Sequence, residues 1–194
     1  MNGRWNVFGQ MSMQRGALRL ACTMALLLGL TLSPAIAHGA TASVSGSQLD
    51  YLAASGEVNN VRVSLQSGAY RVSDLGASVA PGSGCAPVNA QTVTCSAAGI
   101  ASLRIDVGDG NDAATNATKT PSVIEGGDGG DTLLGGDGPS ADRVSGEGGN
   151  DVIDGNVGPD LVSGGQATTR SRAAASTWTR SPAVPGATQS LPTL

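Results

Sequence analysis

Two hydrophobic patterns divide the chain. Between residues 41 and 104, Val61-Arg62-Val63-Ser64-Leu65 and Leu103-Arg104-Ile105-Asp106-Val107 alternate apolar and polar positions, the period of a half-buried strand. Val44, Leu49, Tyr51, Val58, Tyr70, Val72 and Val93 extend that reading, and Gly56, Asn59-Asn60, Ser67-Gly68 and Pro81-Gly82-Ser83-Gly84 punctuate it as turns. The pattern predicts a small antiparallel sheet over residues 38–104. From Gly126 to Ser163 the apolar stretches shrink to three residues: Thr132-Leu133-Leu134, Arg143-Val144-Ser145, Val152-Ile153-Asp154 and Leu161-Val162-Ser163. In so short a strand only the middle side chain points inward. Leu133, Val144, Ile153 and Val162 therefore form one apolar column.

A turn of Gly and Asp precedes each of these short strands. In the first, Gly126, Gly127 and Gly129 allow the positive φ of a tight turn, and Asp131 closes it with a carboxylate. Asp142, Asp151 and Asp160 hold the same place in the later units. A unit repeated in phase stacks on its own copies, with consecutive turns expected on opposite edges of two sheets. Asp142 and Asp160 are 18 residues apart; Asp131 and Asp151 are 20 apart, because Pro139-Ser140-Ala141 lengthens the intervening turn. Upstream, residues 107–112 match the turn except at Val107. If the polar loop 116–122 replaces one opposite-edge turn, Asp112 falls on the edge of Asp131, 19 residues on. One edge then carries Asp112, Asp131 and Asp151, the other Asp142 and Asp160. Stacked carboxylates and turn carbonyls place several hard oxygen ligands around one point, which suits Ca²⁺, and adjacent pairs predict up to three ions. Glu147, Asn156-Val157 and Pro159 depart from the pattern and predict looser third and fourth turns.

These units, GGDGGDTLL, GGDGPSADRVS, GEGGNDVID and GNVGPDLVS, resemble the RTX (hemolysin-type) calcium-binding nonapeptide GGxGxDxUx over residues 105–165. The resemblance implies an all-β chain, a small antiparallel β cap followed by a short parallel β-roll, and the composition of residues 166–194 predicts a disordered tail. It implies metal binding by Asp109, Asp112, Asp128, Asp131, Asp137, Asp142, Asp151 and Asp160, with Gly126, Gly127, Gly129, Gly136, Gly148 and Gly158 shaping the turns. Calcium is then the cofactor. In related families such modules aid secretion, stabilise an attached enzyme or mediate surface contact, so a cell-surface or envelope partner is the second class expected. The alternatives are a truncated remnant of an RTX hydrolase, protease or toxin, and a calcium-dependent adhesion module.

Composition narrows the reading. Gly contributes 29 of 194 residues and aromatics 3%, too little Gly for collagen and enough to predict a thin Val, Leu and Ile core. A domain that buries little needs a metal or a disulfide. Cys85 and Cys95 remain once Cys22 is assigned to a leader, and an even pair in an exported chain predicts a disulfide-stapled hairpin. That leader is a Sec-type signal peptide over residues 1–37, with Met11 or Met13 as alternative starts. It has Arg15 and Arg19, then an apolar run from Leu20 to Leu32, then Ala35-Ile36-Ala37, with cleavage before His38. The run is shorter than the ~20 residues of a membrane helix, so a secreted protein with no membrane span after cleavage is expected. All 15 acidic residues follow Ala37, and residues 105–163 hold 12 acids against two bases. So acidic a face argues against nucleic acid. The tail after Gly165 has no acid and three Arg; a frameshift or truncation of a longer repeat gene, or a basic tail touching an acidic surface, would both give this composition.

Catalytic constellations are missing from the sequence. His38 is the single histidine, and neither HExxH nor GxSxG occurs. No P-loop or EF-hand loop is present either, and Asn116-Ala117-Thr118 matches a glycosylation sequon by pattern. The expectation is a non-catalytic, calcium-binding module.

Overall fold

The computed structural model describes residues 39–165 together with the strands Arg170–Arg172 and Gln189–Ser190. The expected leader and most of the expected tail lie outside the described residues. The described residues are all-β, built as two open mixed sheets with one shared core.

The first sheet contains β1 (Ala40–Ser45), β2 (Gln48–Leu52), β5 (Val79–Pro81), β8 (Ser102–Asp106), β10 (Ser122–Glu125), β12 (Arg143–Ser145) and β14 (Leu161–Ser163). The second contains β3 (Asn60–Gln66), β4 (Ala69–Asp74), β6 (Cys85–Asn89), β7 (Thr92–Ser96), β9 (Ala113–Ala117), β11 (Thr132–Leu134) and β13 (Val152–Asp154), then β15 (Arg170–Arg172) and β16 (Gln189–Ser190). Strand order is β14-β12-β10-β8-β2-β1-β5 in the first and β16-β15-β13-β11-β9-β3-β4-β7-β6 in the second. From β8 to β15 successive strands alternate between the sheets, and each pairs in parallel with the strand two along.

The alternating residues of β2 and β3 set this arrangement. Leu49 and Tyr51 face inward from one sheet, Val61 and Val63 from the other, and all four are buried. One small antiparallel sheet over residues 38–104 is therefore not what forms. The turn between β2 and β3 carries the chain from one sheet to the other, and the antiparallel pairs are divided: β1 with β2 in the first sheet, and β3-β4-β7-β6 in the second. β8 and β9 then add in parallel to β2 and β3, so strands from residues 38–104 and 105–165 are hydrogen-bonded neighbours in both sheets. The β3–β4 hairpin closes through Ser67-Gly68, both at positive φ (50° and 78°), the geometry a two-residue hairpin favours.

Leu133, Val144 and Ile153 are at most 1% exposed. Val162 is only partly covered, because β14 is the last strand of its sheet. Val58 and Leu65 are exposed: Val58 sits in the β2–β3 turn and Leu65 next to the hairpin end. Cys85 and Cys95 form a disulfide across β6 and β7, pinning an edge strand that Pro87 and a bulge already protect. Inside the stretch expected to be disordered, β15 pairs with β13, and β16 with β15. No helix among the described residues is long and apolar enough to cross a membrane.

Candidate functional site

The turns that follow β8, β10 and β12 stack on one edge of the molecule, and those that follow β11 and β13 stack on the other. On the first edge main-chain bonds join neighbouring turns directly. The Asp128 amide donates to the Gly108 carbonyl (3.1 Å) and the Gly110 amide to the Asp128 carbonyl (2.7 Å). The next pair repeats this, Gly148 donating to Gly127 (2.8 Å) and Gly129 to Gly148 (2.6 Å). Approach this close requires residues without a Cβ. One built on Gly127, Gly129 or Gly149 would collide with a carbonyl of the preceding turn.

Inside the stack runs a ladder of carboxylates. The Asn59 amide donates to Asp112 Oδ1 (2.7 Å), the Asp112 amide to Asp131 Oδ1 (2.9 Å) and the Asp131 amide to Asp151 Oδ1 (3.1 Å). On the opposite edge the Ser122 amide donates to Asp142 Oδ1 (2.6 Å) and the Asp142 amide to Asp160 Oδ1 (2.9 Å). The structure thus brings Asp112, Asp131 and Asp151 together on one edge and Asp142 and Asp160 on the other. Asp109, Asp128 and Asp137 do not join either ladder. All three are exposed, and Asp109 accepts from the Gly56 amide (2.9 Å) instead.

The second carboxylate oxygen distinguishes the rungs. Oδ2 of Asp112, Asp131 and Asp160 is buried without a hydrogen-bond partner, while Asp142 Oδ2 accepts from the Gly136 amide (2.8 Å). Those of Asp131, Asp142 and Asp160 lie beneath the first glycine of their own turn. A Cβ on Gly126 would lie 2.5 Å from Asp131 Oδ2 and 3.0 Å from the Gly146 carbonyl oxygen. One on Gly135 would lie 2.6 Å from the Gly155 carbonyl oxygen and 3.2 Å from Asp142 Oδ2, and one on Gly155 2.8 Å from Asp160 Oδ2. Each such glycine lets a carboxylate oxygen pack where a side chain would begin, and at Gly126 and Gly135 a carbonyl of the next turn approaches the same point. Gly126 is thus required for its missing side chain, not for the positive φ read from the sequence, which Gly127 (91°) and Gly129 (139°) do adopt.

No protein-family model, no curated protein and no solved structure matches the chain.

Electrostatics follow the donor count. Burial pushes the Asp131 carboxyl up to about 6; the Asp112 amide offsets part of this, and the charges of Asp112 and Asp151 add to it. Burial raises Asp112 and Asp160 as well. Among the described residues no three His, Cys, Asp or Glu side chains converge to hold a metal. A cation here would draw on main-chain carbonyls as well as one or two carboxylates, a ligand mixture that Ca²⁺ accepts.

Sequence reasoning missed the start of each ladder. Asn59 occupies the register of Asp112, since Asn60 lies opposite Ala113, yet 53 residues separate them and no Gly/Asp motif marks the turn. Asn116 is buried, its Oδ1 accepting from the Thr118 amide and hydroxyl (3.0 and 2.7 Å) and its Nδ2 donating to the Thr120 carbonyl (2.8 Å). The sequon asparagine is a loop-holding residue with no free amide to glycosylate. Glu147 and Asn156, at the second turn position, take positive φ (64° and 61°), a conformation that costs Glu more than Asn.

Proposed function

We propose that residues 105–165 form a short parallel β-roll that binds calcium between stacked turns, in a secreted, non-catalytic module of the RTX type. The observation that carries this reading is the in-phase repetition of a buried carboxylate oxygen beneath a glycine. At Asp131 that oxygen has no partner and the Gly146 carbonyl of the next turn faces the same space. Leaving a buried carboxylate oxygen unpaired costs about 1–3 kcal/mol or more, and a divalent cation beside Asp131 would relieve that cost.

The residues present fit calcium at two places. Asp131 with the Gly146 carbonyl, which meet beside Gly126, is one, and Asp142 with the Gly155 carbonyl, which meet beside Gly135, is the other. The pair Asp112 and Asp131 offers a third by spacing, but Val107, fully buried, stands where the other turns have glycine, and its Cβ takes that room. Two ions rather than three are therefore expected. Each would tie two stacked turns, so binding and folding of the repeat are coupled, with an affinity of about 10⁻⁴–10⁻³ M typical of extracellular modules. The disulfide is compatible with that compartment.

Isothermal titration with Ca²⁺, and with Mg²⁺ as control, tests the reading. Gly126→Ala, whose Cβ would displace Asp131 Oδ2 and the Gly146 carbonyl, and Asp131→Asn, which removes the charge, are each expected to abolish one site. A flat titration, together with melting that EDTA leaves unchanged, would assign the carboxylates to capping amides alone.

A further inference from the structure

Both ladders begin on a residue that carries no charge. On the first edge this is Asn59. Its amide makes the same bond to Asp112 Oδ1 that joins every later rung, and the Glu57 carbonyl packs on Gly110 as the Gly110 carbonyl packs on Gly129. Its side-chain amide nitrogen, however, faces acceptors supplied by the protein, while its Oδ1 is buried without a partner. Nδ2 donates to Asp74 Oδ2 (2.8 Å) and to the Tyr51 hydroxyl (3.1 Å). Asp74, wholly buried, also accepts from the Tyr51 hydroxyl (2.7 Å) and from the Asn60 and Gly76 amides (2.7 and 2.9 Å). On the second edge the first turn is the loop held by Asn116. Thr120 in that loop bonds the Tyr70 hydroxyl (2.6 Å), the Thr118 carbonyl accepts the Asp137 amide of the next turn (2.9 Å), and Ser122 starts the ladder through its amide and hydroxyl (2.6 and 2.7 Å to Asp142). Val107, in the place of a turn glycine, fits the same scheme. These first turns are held by side chains, with Asn59 Oδ1 left unpaired, whereas in later turns it is Oδ2 of Asp112, Asp131 and Asp160 that has no partner.

We propose that β1–β10, with the turns held by Asn59 and Asn116, fold without metal and serve as the template on which the calcium-dependent turns assemble in chain order. The dependence of the later turns on calcium rests on the function proposed above; the metal independence of the template does not. Asn59, Asp74 and Asn116 are positioning residues, which set the register of both ladders without touching an ion.

Hydrogen exchange of the full chain, read by mass spectrometry in EDTA and then in Ca²⁺, tests this. In EDTA, amides of Ala40–Glu125 are expected to exchange on the order of 100-fold more slowly than those of Thr132–Ser163, and Ca²⁺ should protect the latter. Unprotected amides throughout in EDTA, all rescued by Ca²⁺, would overturn the template and leave calcium binding standing. Equal protection with and without Ca²⁺ would overturn the calcium dependence instead. Two substitutions separate a register role from a ligand role. Asn59→Ala should lower protection of Thr132–Ser163 in Ca²⁺ roughly 10-fold. Asn59→Asp, which sets a like charge against Asp74, should do at least as much. Tighter Ca²⁺ binding by Asn59→Asp would make Asn59 an ion ligand and overturn the assignment.

Discussion

At the hairpin end of the molecule the buried carboxylate, Asp74, accepts four hydrogen bonds. Among the stacked turns Asp131, equally inaccessible, accepts one at Oδ1 and none at Oδ2. Burial opposes ionisation in both. At Asp74 it is outweighed by the Asn60 amide, the Tyr51 hydroxyl, the Asn59 side chain and the Gly76 amide, which together hold the carboxyl below its ordinary value. At Asp131 a single amide does not suffice, and the carboxyl rises to about 6. At the hairpin end the chain itself supplies Asp74 with four donors, leaving only Asn59 Oδ1 of that cluster unpaired, whereas in the repeat Oδ2 of Asp131 and of Asp160 has no partner.

The largest break in this contrast comes from emptying the complete network. Asp74→Ala strands two amides, a hydroxyl and the Asn59 side chain, and should cost about 4 kcal/mol in urea denaturation, with or without calcium. Replacing both Cys85 and Cys95 by Ser removes a cross-link of separation 10 and should cost about 3 kcal/mol, again independently of the ion. Asp131→Asn should do the opposite of Asp74→Ala. In EDTA it should stabilise by about 1 kcal/mol, because a neutral group replaces a poorly solvated charge; in millimolar calcium it should destabilise. A melting-temperature change of the same sign in both buffers would refute the contrast.

pH sharpens it further. The folded-state value of Asp131 lies above its ordinary value of 3.8, so the folded chain binds the proton more tightly than the unfolded one. Without calcium its penalty is fully present above about 6, and stability should rise as pH falls from 6 toward 3.8. Asp74 has the reverse sign. Its contribution is present above its ordinary value of 3.8 and is lost as pH falls through its lower folded-state value. Thermal melts in EDTA should therefore rise from pH 7 to about pH 5 and fall again below about pH 4. The smallest effect is conformational: Glu147→Gly relieves a positive φ and should gain about 0.5–1 kcal/mol in urea midpoint analysis, whereas Asn156→Gly should change little.

What the sequence made legible was periodic. Asp131, Asp142, Asp151 and Asp160 stand in phase with Leu133, Val144, Ile153 and Val162, and their separations of 18 and 20 already place the turns on two edges. What it hid was any relation that the period does not carry. Asn59 belongs to the same column, but the hairpins β3–β4 and β6–β7 intervene, and an asparagine there reads as an ordinary turn residue. The Asp74, Tyr51 and Asn59 cluster joins residues from two sheets and leaves no spacing to find. β2 and β3 alternate like the two arms of one hairpin, and nothing in alternation says that the chain changes sheet between them. Gly126 shows a third limit: a glycine needed for positive φ and one needed for empty space look the same in a sequence.

Both ladders point one way, each carboxylate gripping the amide of the turn before it, from Asn59 to Asp151 and from Ser122 to Asp160. This gives the molecule a mechanical polarity. Tension applied at the C-terminal end of the repeat meets strands of three residues, each paired with the strand two before it, and peels them off in reverse order like tape from a reel. One full circuit between Asp131 and Asp151 holds 20 residues and pays out roughly 60–70 Å when drawn straight. The longer, disulfide-pinned strands at the other end hold fast, so force would lengthen the protein in even steps from one end while the other keeps the pattern for its rewinding.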